Sequence, residues 1–96
     1  MSAQNTREIA TAVAFLRRCR PTVKTTGRSP SSYELKHAAE AWGAVNGMAN
    51  YVSNGALIAA ALEVCYLVSY GHGGPNPSIG VRRDDVKRVM AEARGR

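Results

Sequence analysis

Between positions 37 and 81 this chain has no lysine and no arginine. All 13 cationic residues lie between positions 7 and 36 or between positions 82 and 96. That gap excludes a basic recognition element from the middle of the chain. Cysteine is scarce too: Cys19 and Cys65 are the two present, too few for a disulfide framework. Both lie in apolar stretches that read as helical, where buried, reduced thiols are common. With His37 and His72 they make no CxxC, HxH or HxxxH spacing, so neither a metal nor any other cofactor is expected.

Long apolar runs are absent as well. The longest, 55–68, is broken by Glu63 and is too short to span a bilayer. The opening MSAQNTREIA lacks the basic start and apolar run of a signal peptide, so a cytoplasmic location is expected. Catalytic constellations are missing. Ser53, Ser69 and the cysteines have no base and orienting group in recognisable relation. The glycine-rich 71–74 segment runs between two extended stretches, whereas a phosphate-cradling loop should lead into a helix and bring a lysine. The expectation is a binding protein and not an enzyme.

What the chain does have is the material of one small α+β domain over residues 1–96, with 1–5 and 94–96 expected to fray. Asn5-Thr6-Arg7-Glu8 reads as a helix start, with Glu8 placed to close a capping box. Ile9, Val13 and Leu16 recur behind it at helical spacing, beside Ala12, Phe15 and Cys19, until Pro21 stops the helix. Residues 22–29 form a basic loop, in which Val23 could enter a very short strand. Ser31-Ser32-Tyr33-Glu34 is a second capping box, followed by the stripe Leu35, Ala38, Ala39, Trp42 and Val45 and the stop signal Asn46-Gly47. Lys36 and Glu40 form an i,i+4 pair expected to contribute little.

Ser53-Asn54-Gly55 opens a third helix, over 53–65, apolar nearly all round and therefore expected to be central. From Tyr66 the period changes to two, predicting a β-hairpin over 66–70 and 78–81 with a loose tip at 71–77. Arg82 or Arg83 starts a last helix with Asp84 and Asp85 in its first turn and Val86, Val89, Met90 and Ala93 inside. Four helices and a C-terminal hairpin in this order match the order of a winged helix. A recognition helix needs polar groups aimed at base edges, and the third helix offers Ser53, Asn54 and Glu63 amid aliphatic residues. The hairpin tip carries no cation. Standard winged-helix docking is therefore not expected.

The charge balance is 13 basic against 7 acidic residues, a net charge of +6. Such a chain attracts polyanions: nucleic acid, an anionic membrane or an acidic protein face. It also serves simply as a solvated surface, partly neutralised by pairs such as Asp84 and Arg88 at i,i+4. The residues expected to bind nucleic acid or a partner are Arg17, Arg18, Arg20, Lys24, Arg28, Lys36, Arg83 and Lys87, with Arg94 alongside. Exposed tyrosines, Tyr51, Tyr66 and Tyr70 among them, can stack on bases or anchor a partner.

Three stretches carry a resemblance: 32–37 (SYELKH) with Glu40, 51–61 (YVSNGALIAAA), and Gly74-Pro75-Asn76. In that order they resemble small proteins encoded on plasmids, integrative elements and phages of proteobacteria. Before the Tyr51 motif this chain has a longer link, residues 44–50. The resemblance implies a mobile-element accessory protein; with the cations segregated to the two ends of the chain, the expectation is a non-catalytic protein that binds a nucleic acid or nucleoprotein through those basic ends, and with no long apolar run no membrane partner is expected. The competing expectation is an inhibitor of the anti-CRISPR type, docking on a host effector complex. A third is an enzyme accessory or a purely structural homodimer, joined through the aliphatic 53–65 helix.

Overall fold

A computed structural model describes residues 3–95. It contains helix α1 (Ala3–Leu16), helix α2 (Ser32–Val45), helix α3 (Asn54–Glu63), strands β1 (Val68–Ser69) and β2 (Ser78–Ile79), and helix α4 (Arg83–Arg94). The fold is α+β, four helices with a C-terminal antiparallel hairpin, as the hydrophobic periodicities predict. Residues 1, 2 and 96, part of the ends expected to fray, lie outside the described residues.

Helix α1 begins earlier than its sequence signal. Asn5 lies inside its first turns and does not cap it. Its buried face runs through Thr11, Ala12, Phe15 and Leu16 and continues to Cys19, while Ile9 and Val13 are only partly buried. The face is turned because α1 packs on α3 and α2 at once, meeting α2 through Phe15 and Thr11. The Phe15 and Trp42 rings meet there with centroids 6.2 Å apart. The helix ends at Leu16, before Arg17, Arg18 and Arg20.

Helix α2 starts as its sequence predicts. The Ser31 side chain accepts from the Glu34 amide, and the Glu34 carboxylate accepts from the Ser31 amide. At its far end Gly47 takes a φ of +70°, and the Met48 amide donates back to the Gly43 carbonyl. Leu35, Ala39 and Trp42 enter the core, whereas Val45 is exposed. Helix α3 is central on one side only. Ala56, Leu57, Ala60 and Ala61 are buried, and Leu62 stands in solvent.

The hairpin is shorter than its alternating pattern. Val68 pairs with Ile79 and Ser69 with Ser78. On its other edge β2 is flanked by the chain around α2: the Ile79 amide donates to the Pro30 carbonyl, and the Ser32 amide donates to the Pro77 carbonyl. Isolated bridges link Pro21 with Val81 and Ser31 with Ser78. Val23 is outside this pairing and almost wholly exposed. Among the described residues no helix is long and apolar enough to cross a membrane.

Candidate polyanion-binding surface

The loop between α1 and α2 is fastened to α4 by ion pairs, and this joins the two basic ends of the chain. Asp85, in the first turn of α4, is buried beside Arg20. Its carboxylate accepts from the Arg20 amide at 2.8 Å, from Nε at 2.9 Å and from Nη2 at 3.1 Å. These bonds from the Arg20 side chain and amide hold the Asp85 carboxyl well below the usual carboxylate range. One turn on, Arg88 donates to the Arg18 carbonyl at 3.3 Å, and Glu92 accepts from both Arg18 and Arg88 at 3.4 Å. Asp84, the neighbour expected to neutralise Arg88, pairs with Arg82 at 3.2 Å instead. Arg88 turns toward the loop because Asp85 and Glu92 lie on that side of α4.

A second fastening lies at the start of α4. Arg83 donates to the Arg28 carbonyl at 2.9 Å and to the Glu34 carboxylate at 3.0 Å. This guanidinium lowers the Glu34 carboxyl. Three segments meet there: the loop, the cap of α2 and the first turn of α4.

The eight cations expected to bind divide by surroundings. Arg18, Arg20 and Arg83 are engaged in the pairs just described. Arg17, Lys24, Arg28 and Lys87 are exposed and have no carboxylate partner among the described residues. Arg83, Lys87 and Arg94 are four and seven positions apart, so they share one stripe of α4. The Arg28 backbone meets the stripe's first residue through its carbonyl contact with Arg83. The eleven steps from Arg83 to Arg94 rise about 16 Å, or four to five phosphates along one strand of a duplex.

Lys36 is placed differently from the other seven. It is only 9 % exposed, and its ammonium lies 3.2 Å from Glu40 Oε2. The same ammonium stands 5.7 Å from the Tyr33 ring centroid and 5.4 Å from that of Tyr51. It is committed to an internal group, and its pairing with Glu40 is a largely buried structural contact and no mere surface pair. Burial works to raise the Glu40 carboxyl, but the Val52 amide and Lys36 outweigh it and leave the group lowered.

Glu8 has a comparable role. It does not close a capping box on its own helix. Its carboxylate accepts from the Ser53 amide at 2.8 Å, a bond that lowers the carboxyl. Glu8 and Glu40, from α1 and α2, together hold the two amides that lead into α3. The remaining reactive groups divide clearly. Burial, with the nearby Asp85 charge, pushes the Cys19 thiol up to about 11. Cys65, expected inside, is exposed. Tyr66, expected among the exposed tyrosines, donates its hydroxyl to the Cys19 carbonyl at 2.6 Å, just past the end of α1.

The hairpin tip touches the basic loop, with His72 Nε2 and Thr25 Oγ1 2.9 Å apart. Among the described residues no three His, Cys, Asp or Glu side chains gather to hold a metal ion. An open groove of about 420 Å³ runs between α1 and the 47–50 link, and Arg7 is the one cation that lines it.

Protein-family models, curated proteins and solved structures were compared with this chain, and none matches. The functional reading therefore rests on the chemistry of the basic surface. Arg82 and Arg88 belong to that surface although the sequence reading did not include them. The spacing of Arg88 with Asp85 and Glu92, three and four positions apart, was the available signal.

Proposed function

We propose that the protein is a non-catalytic nucleic-acid-binding or nucleoprotein-binding accessory factor of a mobile element, acting through its basic surface. The observation that carries this reading is the stripe Arg83, Lys87 and Arg94, with Arg28 in the loop whose backbone meets it. Arg28 and Lys87 have no carboxylate partner among the described residues, so their charge faces solvent. Helix α3 and the hairpin tip lack lysine and arginine, so binding proceeds without a recognition helix in the major groove. Contacts of this type go to phosphates and carry little base preference.

The test is affinity for labelled DNA and RNA measured against salt. Three phosphate contacts, from Arg28, Lys87 and Arg94, give a log–log slope of about −2 to −3, an affinity loss of about 20- to 40-fold between 50 and 200 mM salt. No binding at low salt overturns the reading. The competing role, an anti-CRISPR-type inhibitor docked on a host effector, is separated by a pull-down after nuclease treatment. A stoichiometric protein partner that survives the nuclease favours the inhibitor.

A further inference from the structure

On the exposed side of α2, three rings form an ordered group. Tyr33 and His37 lie one turn apart with ring centroids 4.6 Å apart, edge to face at 87°. Tyr51 joins them from the segment before α3. The Lys36 ammonium lies between the two tyrosines, and Glu40 fixes the group by accepting from Lys36 at 3.2 Å and by meeting His37 Nδ1 at 3.1 Å. Tyr33 and Tyr51 are 52 % and 53 % exposed. Tyr33 precedes Glu34, whose carboxylate accepts from Arg83 at 3.0 Å, so the first turn of α2 carries both a ring and a contact to the first turn of α4.

We infer that the ring group Tyr33, His37 and Tyr51 and the α4 stripe together form a binding surface for single-stranded nucleic acid, with bases stacked on the rings and phosphates on Arg28 and Lys87, cations unpaired among the described residues. This rests on the polyanion reading of the preceding subsection. Two features favour a single strand over a duplex. Stacking needs bases free of their pairs, and a duplex offers phosphates but no open base faces. The rings are also held in place before binding, which reduces the ordering cost of stacking.

The experiment compares a fluorescent single-stranded oligonucleotide with its duplex, using the full chain and the variants Tyr51→Leu, Tyr51→Phe and Tyr33→Leu. Leucine keeps apolar bulk and removes the π face, whereas phenylalanine keeps the face. The single strand should bind the full chain at least 10-fold more tightly than the duplex. Each leucine variant should lose about 10-fold in single-strand affinity and little in duplex affinity, and Tyr51→Phe should bind as the full chain does. Circular dichroism melts check that each variant is folded. Salt-dependent binding that ignores both leucine changes, or prefers duplex, overturns the inference and leaves the polyanion reading standing. Absence of binding to either oligonucleotide overturns both. A leucine variant that instead loses a nuclease-resistant protein partner assigns the rings to protein docking and overturns the inference.

Discussion

Cys65 shows how one residue can stand against its local backbone. It occupies the position after the C-cap of α3 with a φ of 63°, the left-handed region that favours glycine. The motif around it is complete: the Cys65 amide donates to the Leu62 carbonyl, and the Tyr66 amide donates to the Ala61 carbonyl. The side chain is exposed, so nothing in the core recovers the steric cost of its Cβ. Cys65→Gly should therefore stabilise the protein by about 0.5–1 kcal/mol, the left-handed penalty less the extra chain entropy of glycine. Urea unfolding measures it, and a lower midpoint would contradict this account. The apolar run around Cys65 had pointed to burial. Burial depends on which side of α3 faces its neighbours, and the run is apolar on every side.

At the scale of elements, the helices approach closely at one point and are otherwise held by carboxylates. Gly43 lies inside α2, where glycine ordinarily weakens a helix. A Cβ there would strike the Ala49 carbonyl oxygen and come within 2.8 Å of Thr11 Cγ2. The Thr11 hydroxyl accepts from the Ala49 amide at 3.1 Å, so α1, α2 and the link to α3 meet at this glycine. Gly43→Ala should destabilise by about 2–3 kcal/mol despite the better helix propensity of alanine. A thermal melt showing unchanged or higher stability would mean that the three segments can separate at no cost.

The carboxylate fasteners make the element contacts sensitive to acid. Asp85, Glu8 and Glu40 all have folded-state pKa values below their ordinary ones. A lowered carboxyl contributes stability that is present above its unfolded pKa, about 4, and is lost as pH falls toward its folded value. Stability should therefore be level near neutrality and fall progressively below about pH 4–5. Asp85→Asn should lower the urea midpoint at pH 7 and flatten the acid limb, so the two curves converge toward pH 2. Parallel curves across that range would show that Asp85 is not the titrating fastener. Glu34 and Asp84 are half or more exposed, and their pairs are screened by water and salt.

The surface charge acts at the scale of the whole molecule, and its members are not equivalent. Lys24→Ala, Arg28→Ala and Lys87→Ala remove cations that have no carboxylate partner among the described residues. Of these, Lys87 lies on the stripe and Arg28 in the loop whose backbone meets it, and each of these two changes should reduce nucleic-acid affinity several-fold, lower the salt slope by about one and leave the melting temperature unchanged. Arg20→Ala should do the reverse, lowering the melting temperature and barely changing the salt slope, because its guanidinium is occupied by Asp85. Anisotropy titrations and melts on the same samples distinguish the two classes, and an equal loss of affinity from all four would show that the pairs do not matter to binding.

Much of this architecture was legible in the residues. The Ser31 capping box, the Asn46-Gly47 stop, the four helices and the change of period at Tyr66 are local patterns, because caps, turns and periodicity involve residues within a few positions of one another. The segregation of cations to the two ends of the chain is likewise written in the sequence alone. Partners across the fold were not legible. Glu8 reaches Ser53, 45 positions away, and Arg20 reaches Asp85, 65 positions away. No local spacing signals such a bond, because it depends on helix packing that buries some carboxylates and exposes others. Only the tertiary structure decided which cations remain free, since an ion pair depends on distance in space. It moved Lys36 from the basic surface to the ring group and brought the Arg28 backbone to the first turn of α4. The cation-free middle of the chain, first evident as an absence, is the scaffold on which both basic ends are brought together.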